Sequence, residues 1–113
     1  MSNILILGVD GMLGSMLSHV LSEKSSGTLF FTTRRSTSKN TNLNGDIINF
    51  DALSNEFTEL AYKVQPDYVI NCIGAIKPLI NENKNKSIIN AQTINSFLPL
   101  SIAKSANELN FKY

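Results

Sequence analysis

The sequence is poor in several features that mark particular protein classes. It contains one cysteine, Cys72, and no tryptophan. A single thiol excludes an internal disulfide framework and a cysteine-rich zinc site. A lone thiol in an apolar segment suits a reducing cytosol. Charged residues make up only 17%, and 10 Lys and Arg against 9 Asp and Glu leave a net charge of +1. That balance supports neither a nucleic-acid groove nor a polybasic membrane patch. No apolar run approaches the roughly 20 residues that span a bilayer. Met1-Ser2-Asn3-Ile4 has no basic region, and Asp10 interrupts the apolar stretch that follows, which argues against a signal peptide. A cytoplasmic location is expected.

What remains is an ordinary globular composition. The chain has 113 residues, of which 42% are hydrophobic. A chain of that size buries roughly two thirds of its unfolded surface, and its composition is not that of a disordered segment.

Asn3 to Leu7 (N-I-L-I-L) is nearly continuous in apolar residues, the pattern of a strand buried on both faces of a parallel sheet. It stops at Gly8. From Gly11, the residues Met12, Leu13, Met16, Leu17, Val20 and Leu21 fall in two adjacent i, i+4 rows. They predict a helix with one broad apolar stripe, ended near Gly27 as a C′ residue. Thr28 to Thr33 is β-branched and aromatic and reads as a second strand. Arg34 to Asn44 is polar and reads as a loop, and Asp46-Ile47-Ile48 as a third short strand or its end. Asp51 is placed to N-cap a helix whose face is Leu53, Phe57, Leu60, Ala61 and Val64, closed by Pro66.

Tyr68 to Ile73 predicts a further buried strand, closing at Gly74. Ile94, Leu98, Ile102, Ala106 and Leu109 form the core stripe of a last helix. Pro99 in that helix implies a kink or a restart with proline in the first turn. Phe111-Lys112-Tyr113 looks like the beginning of another strand. This alternation of strands and helices calls for an α/β fold, a doubly wound parallel sheet in three layers, Rossmann-like, running into the start of a fifth strand. Residues 1–113 are expected to form one incomplete domain. Its last strand is expected to present an open edge, with disorder after Ala75 or association through that edge.

The strongest chemical signal is Gly8-Val9-Asp10-Gly11-Met12-Leu13-Gly14, between the first strand and the first helix. Gly8 permits a sharp exit from the strand, and Gly11 a close approach of phosphate to the backbone. Gly14 permits tight packing of helix on strand. The helix N-terminus then offers unpaired N–H groups and a positive dipole end to a pyrophosphate. The spacing is G-x-x-G-x-x-G, and no G-K-[ST] ending makes it a Walker A loop. The competing explanation is a tight turn that binds nothing. Asp10 does not suit a pyrophosphate and is expected to point away, to a loop N–H or to solvent. His19 reads as a surface residue and Cys72 as an inert core thiol.

The glycine pattern resembles that of the extended short-chain dehydrogenases/reductases. Four further stretches resemble the dTDP-4-dehydrorhamnose reductase-like branch, the sugar-nucleotide reductases, in the same order. They are Gly45-Asp46-Ile47, Pro66 to Ala75 (P-D-Y-V-I-N-C-I-G-A), Ile94 to Pro99 (I-N-S-F-L-P) and Ser101 to Glu108 (S-I-A-K-S-A-N-E). The resemblance implies cofactor-binding roles. Gly8, Gly11 and Gly14, with the backbone of Met12 and Leu13, would cradle the pyrophosphate. Asp46 and Ile47 would hold the adenine. Ile73, Gly74 and Ala75 would line the cofactor, Asn95 would be structural, and Lys77 would reach a phosphate or the nucleotide sugar if it is not simply a surface lysine.

An acid at the end of the second strand would bind a ribose 2′-hydroxyl. The sequence has Thr32-Thr33-Arg34-Arg35 there, and two guanidiniums suit a 2′-phosphate. NADP(H) is therefore expected over NAD(H). Reductases of this kind use a Tyr-x-x-x-Lys pair. None of Tyr62, Tyr68 and Tyr113 has lysine four residues on, so no catalytic residue is assigned within the chain. The resemblance thus implies the cofactor-binding portion of an oxidoreductase that reduces a 4-keto nucleotide-deoxysugar for polysaccharide synthesis, inactive by itself. The alternative is a stand-alone, non-catalytic nucleotide-binding sensor module. A flavodoxin-like signalling domain is disfavoured, because Gly8 and Gly74 stand where an acidic phosphoacceptor would be needed.

Overall fold

The apolar runs at Asn3–Leu7 (β1), Thr28–Thr33 (β2) and Tyr68–Asn71 (β4) come together with Asp46–Asn49 (β3) in one sheet of order β3-β2-β1-β4. Every pairing in it is parallel. The computed structural model describes residues 2–24, 26–34, 43–74 and 84–113. β1 is central, and Leu5, Ile6 and Leu7 are wholly buried. Their side chains alternate between faces. Leu5 and Leu7 join the cluster with Phe57, Leu60, Ala61, Val64, Leu98 and Ile102, while Ile6 joins Val9, Leu29 and Phe31 on the other side. Three layers follow: helix, sheet, helix. The chain steps from β1 outward to β2 and β3, then returns to β4 on β1's other flank. That reversal opens a crevice at the carboxyl ends of β1 and β4.

The first helix, α1 (Met12–Lys24), corrects the expected apolar stripe. Its buried residues are Gly14 and Ser18. Leu17 and Leu21 pack partly against the Ile6 cluster, whereas Met12, Leu13, Met16 and Val20 are exposed. Small residues lie nearest the sheet because they let the helix axis come close, so the larger ones turn outward. Gly27 follows the helix without a left-handed backbone; among the described glycines only Gly8 has positive φ.

The second helix, α2 (Phe57–Val64), starts later than Asp51 suggests. Asp51 caps a turn instead. Its carboxylate accepts the Leu53 N–H at 2.9 Å, and its carbonyl accepts from Ser54 and Asn55. Leu53 is thereby off the helix and exposed. Phe57, Leu60, Ala61 and Val64 form the buried face as the spacing predicts. The helix closes on Gln65 in the left-handed region, just before Pro66.

After β4 the chain forms α3 (Asn85–Gln92), a π-helical turn (Thr93–Phe97) and α4 (Leu98–Leu109) without a break. Pro99 stands in the first turn of α4. Proline has no N–H to donate to the preceding turn, and the wider turn takes up that mismatch. Leu98 and Ile102 are buried; the expected stripe is otherwise half-buried. Phe111 enters the core, and Lys112 bridges Tyr68 in parallel, so a fifth strand begins beside β4. The disorder expected after Ala75 lies partly outside the described residues; from Asn85 the chain is helical.

Phe57 is 3% exposed and meets Phe50 and Phe111 edge-on at 6.4 and 6.3 Å. Phe57→Ala should cost about 3–5 kcal/mol in urea unfolding, while Leu53→Ala should stay within about 0.5 kcal/mol. Equal losses at the two positions would return Leu53 to the core stripe and contradict the observed start of α2.

Candidate dinucleotide-binding site

The corner between β1 and α1 is built from backbone contacts. Gly8 has φ +84°, a conformation that an L side chain rarely adopts. A Cβ there would also stand 2.9 Å from the Ile73 side chain. The turn carries the chain over the sheet end, and Gly14 then seats α1 on it. A Cβ on Gly14 would fall 1.8 Å from the Gly8 carbonyl oxygen and 3.3 Å from Cys72 Cβ. Gly11 differs: a Cβ there would meet only the Gly8 carbonyl oxygen, at 3.8 Å. Space lies over the loop at Gly11, beside the first turn of α1. Its N–H groups have no partner within the helix.

The loop is fastened to β2. Gly8 N–H donates to Thr32 Oγ1 at 3.0 Å, and Val9 N–H to the Thr32 carbonyl at 2.9 Å. The Thr33 hydroxyl donates to the Asp10 carboxylate. Thr32 and Thr33 are both buried. Asp10 therefore does not point away from the site, as its sequence position suggested. It lies between loop and strand end and lines the cleft. The two threonines anchor the loop to the strand end, a role that their place in the sequence does not reveal.

The cleft has a volume of about 470 Å³, within the usual range for small-molecule sites. Gly8, Gly11, Arg34, Ile73 and Gly74 line it, with Asp10, Thr32 and Thr33. So do Phe50 to Leu53 after β3, and Ser87, Asn90, Ala91 and Ile94 from the last helical segment. Asn95 lies close by, its Oδ1 3.8 Å from where a Gly74 Cβ would be. Met12, Leu13 and Gly14 form the adjoining helix end without lining the cleft wall. Cys72 lines the wall, and burial pushes its thiol above the ordinary value, so it is no thiolate nucleophile at neutral pH.

Asp46 and Ile47 are not brought to the cleft. Asp46 pairs with Phe30 and Asn49 with Thr33, so the expected adenine pair sits at the start of β3, away from its carboxyl end. The residues delivered to the cleft are Phe50, Asp51, Ala52 and Leu53. Gly45 matched a motif in the sequence, but the register of β3 is set by packing. Arg35, Ala75 and Lys77 lie outside the described residues. Among the described residues no three His, Cys, Asp or Glu are placed to hold a metal ion. No described helix is long and apolar enough to cross a membrane.

A parallel sheet with a glycine corner at its switch point defines a Rossmann-like nucleotide-binding domain. The chain belongs to the NAD dependent epimerase/dehydratase family, whose model matches residues 4–112. No curated protein matches it. Among solved structures it is similar to L-threonine dehydrogenase from Clostridium difficile, at 26% identity and TM-score 0.78. That match covers 99% of this chain and 35% of the other. It is also similar to the Bordetella bronchiseptica enzyme WbmH in complex with NAD+, at 17% identity and TM-score 0.73. There it covers 96% of this chain and 36% of the other. UDP-glucose 4-epimerase from Brucella ovis in complex with NAD gives 18% identity and TM-score 0.70, over 97% and 33%. The chain thus spans about a third of the length of these structures.

The glycines separate stability from binding. Gly14→Ala forces backbone apart and should cost at least about 1–3 kcal/mol. Gly11→Ala should leave the unfolding midpoint within about 0.5 kcal/mol of the parent. Denaturation of both variants checks this; an undisturbed Gly14→Ala would show that α1 does not rest on the Gly8 carbonyl.

Proposed function

We propose that this chain is the nicotinamide-dinucleotide-binding portion of an oxidoreductase acting on a nucleotide sugar. Its nearest chemical model is the dTDP-4-dehydrorhamnose reductase type, in which hydride passes to a 4-keto group. The observation that carries the binding function is the clamped glycine corner with open space over Gly11, set at the end of the central strand. Gly11 and the first-turn N–H groups of Met12 and Leu13 would hold the diphosphate, where the helix dipole favours negative charge. Asp51 takes the adenine role that the motif suggested for Asp46, with Ala52 and Leu53 as the apolar wall. Ile73 and Gly74 leave room for the cofactor to cross the end of β4. A bound nicotinamide would supply the hydride chemistry, and the part of this chain would be to bind and orient it.

Arg34 favours a 2′-phosphate and so supports NADP(H), while Asp10 opposes it. The NAD complexes of WbmH and of the Brucella epimerase support a nicotinamide dinucleotide as the ligand class. The substrate class rests on the ordered sequence motifs, and Lys77 remains the candidate to reach the nucleotide sugar. No Tyr-x-x-x-Lys pair occurs in this chain, so none of its residues is assigned proton donation to the carbonyl.

Calorimetric titration with NADH and NADPH tests the binding function. One dinucleotide should bind per chain, and the methyl of Gly11→Ala, standing in the open space over the loop, should hold the diphosphate off the first-turn amides and weaken binding by about tenfold or more. The same chain should not oxidise reduced cofactor in the presence of a dTDP-4-keto-6-deoxysugar. Absence of binding, or binding indifferent to Gly11→Ala, would contradict the site. Measurable turnover would contradict the division between binding and catalysis.

A further inference from the structure

We propose that the outward face of α1, together with the open side of β4, is a docking surface for a second copy of this chain. The proposal goes beyond cofactor binding and makes no use of the cleft. A parallel sheet is normally covered on both faces. Here one face carries α2 and α4, packed on Leu5, Leu7 and Val69. Among the described residues, α1 is the helix on the other face, with Leu17 and Leu21 packed on Ile6, Leu29 and Phe31.

That helix lies to one side. The Ser22 hydroxyl accepts the Asn44 N–H at 3.2 Å, so the Ser22 side of α1 faces the start of β3. Leu13 stands nine residues before Ser22 and therefore on the opposite side of the helix, with Val20 beside it. This side faces β4. Tyr68 and Ile70 of β4 pair with Ile4 and Ile6, so they open onto the same face of the sheet. Tyr68 is 42% exposed and Ile70 is half-buried. Leu13, Met16 and Val20 thus wall an apolar trough, with Tyr68 and Ile70 as its floor.

From Gly11 to Ser22 there is no Asp, Glu, Lys or Arg, whereas a helix facing water carries charge on its outer side. Met12 and Met16, on the crest of α1, are 88% and 61% exposed. A charged partner finds nothing to pair with there. A second copy brings a crest and a trough of the same kind, the self-complementary arrangement of a twofold dimer. With the twofold axis along the helices, the two α1 helices lie side by side between the two sheets. Each crest then rests in the other copy's trough, and each sheet has two helices on its open face. Glu23 follows Met16 by seven residues and so continues the crest. Lys112 bridges Tyr68 and shares its face. Both are exposed, and the pairing sets Glu23 of one copy over Lys112 of the other. Each face offers roughly 500 Å² of apolar surface, near the upper end of what a monomer leaves open. Two of them bury about 1,000 Å², the lower limit of a specific interface, so the dimer is weak and reversible.

Sedimentation velocity over a concentration series tests this on the parent chain, Met16→Glu, Glu23→Lys, Lys112→Glu and the double charge reversal. The parent should pass from monomer to dimer with a micromolar dissociation constant. Met16→Glu should fold as the parent does by circular dichroism and raise that constant by about tenfold or more. Val20→Lys serves if Met16→Glu fails to fold. Glu23→Lys and Lys112→Glu should each weaken the dimer, and the two together should restore it. A parent that stays monomeric at roughly millimolar concentration overturns the proposal and leaves the face to another polypeptide. A dimer unmoved by Met16→Glu and by the charge reversals places association elsewhere, at the fifth-strand edge or the outer side of α4, and overturns it as well.

Discussion

The contact between Gly14 and the Gly8 carbonyl is the constraint on which the site depends. The left-handed turn at Gly8 takes the chain off the central strand, and α1 can lie on that turn only if residue 14 has no side chain. Once the helix is seated, its first turn faces the carboxyl ends of β1 and β4. The same seating turns Gly14 and Ser18 to the sheet and leaves Met12, Leu13, Met16 and Val20 outside. Packing of the helix and presentation of its amides are thus one arrangement. The Ser18 hydroxyl, buried with no hydrogen-bond partner among the described residues, shows how closely the helix lies on the sheet.

The second level of order is polar. Thr32 and Thr33 at the end of β2 tie down the loop through backbone and side chain. The Asp51 turn shapes the other lip, where the Phe50 N–H also donates to the Thr33 carbonyl at 2.9 Å. Both lips therefore meet at the last residue of one strand. The charged residues they bring to the cleft are Asp10, Arg34 and Asp51. Burial of Cys72 beneath the corner keeps that side of the wall neutral.

Much of the fold was legible because periodicity reports burial directly. The apolar run of β1, the face of α2 from Phe57 to Val64, and the glycine corner all stand where their patterns place them. Other positions were hidden because a third element decides them. Leu53 has helical spacing with Phe57, but Asp51 uses its carboxylate to cap a turn and the helix waits until Phe57. The α1 stripe looked core-facing, but hydrophobicity alone cannot show that Gly14 and Ser18 permit the closer approach. Asp46 carried the motif, while the pairing of Asp46 with Phe30 moved Asp51 to the strand end. Asp10 looked unsuited to its loop until the Thr33 hydroxyl, twenty-three residues on, became its neighbour.

The family assignment and the fold agree on a nucleotide-binding unit spanning about a third of the related structures. Whether the glycine corner is its binding face is a question of location, and backbone amide resonances report location. Titration of isotope-labelled chain with NADH, followed by two-dimensional nitrogen–proton spectra, should shift Gly11, Met12, Leu13, Thr33, Asp51 to Leu53, Ile73 and Gly74. Asp46 and Ile47 should move little. Shifts centred on Asp46, on the exposed face of α1 or on the edge strand at Lys112, with the Gly11 amide unmoved, would contradict a dinucleotide seated on this corner.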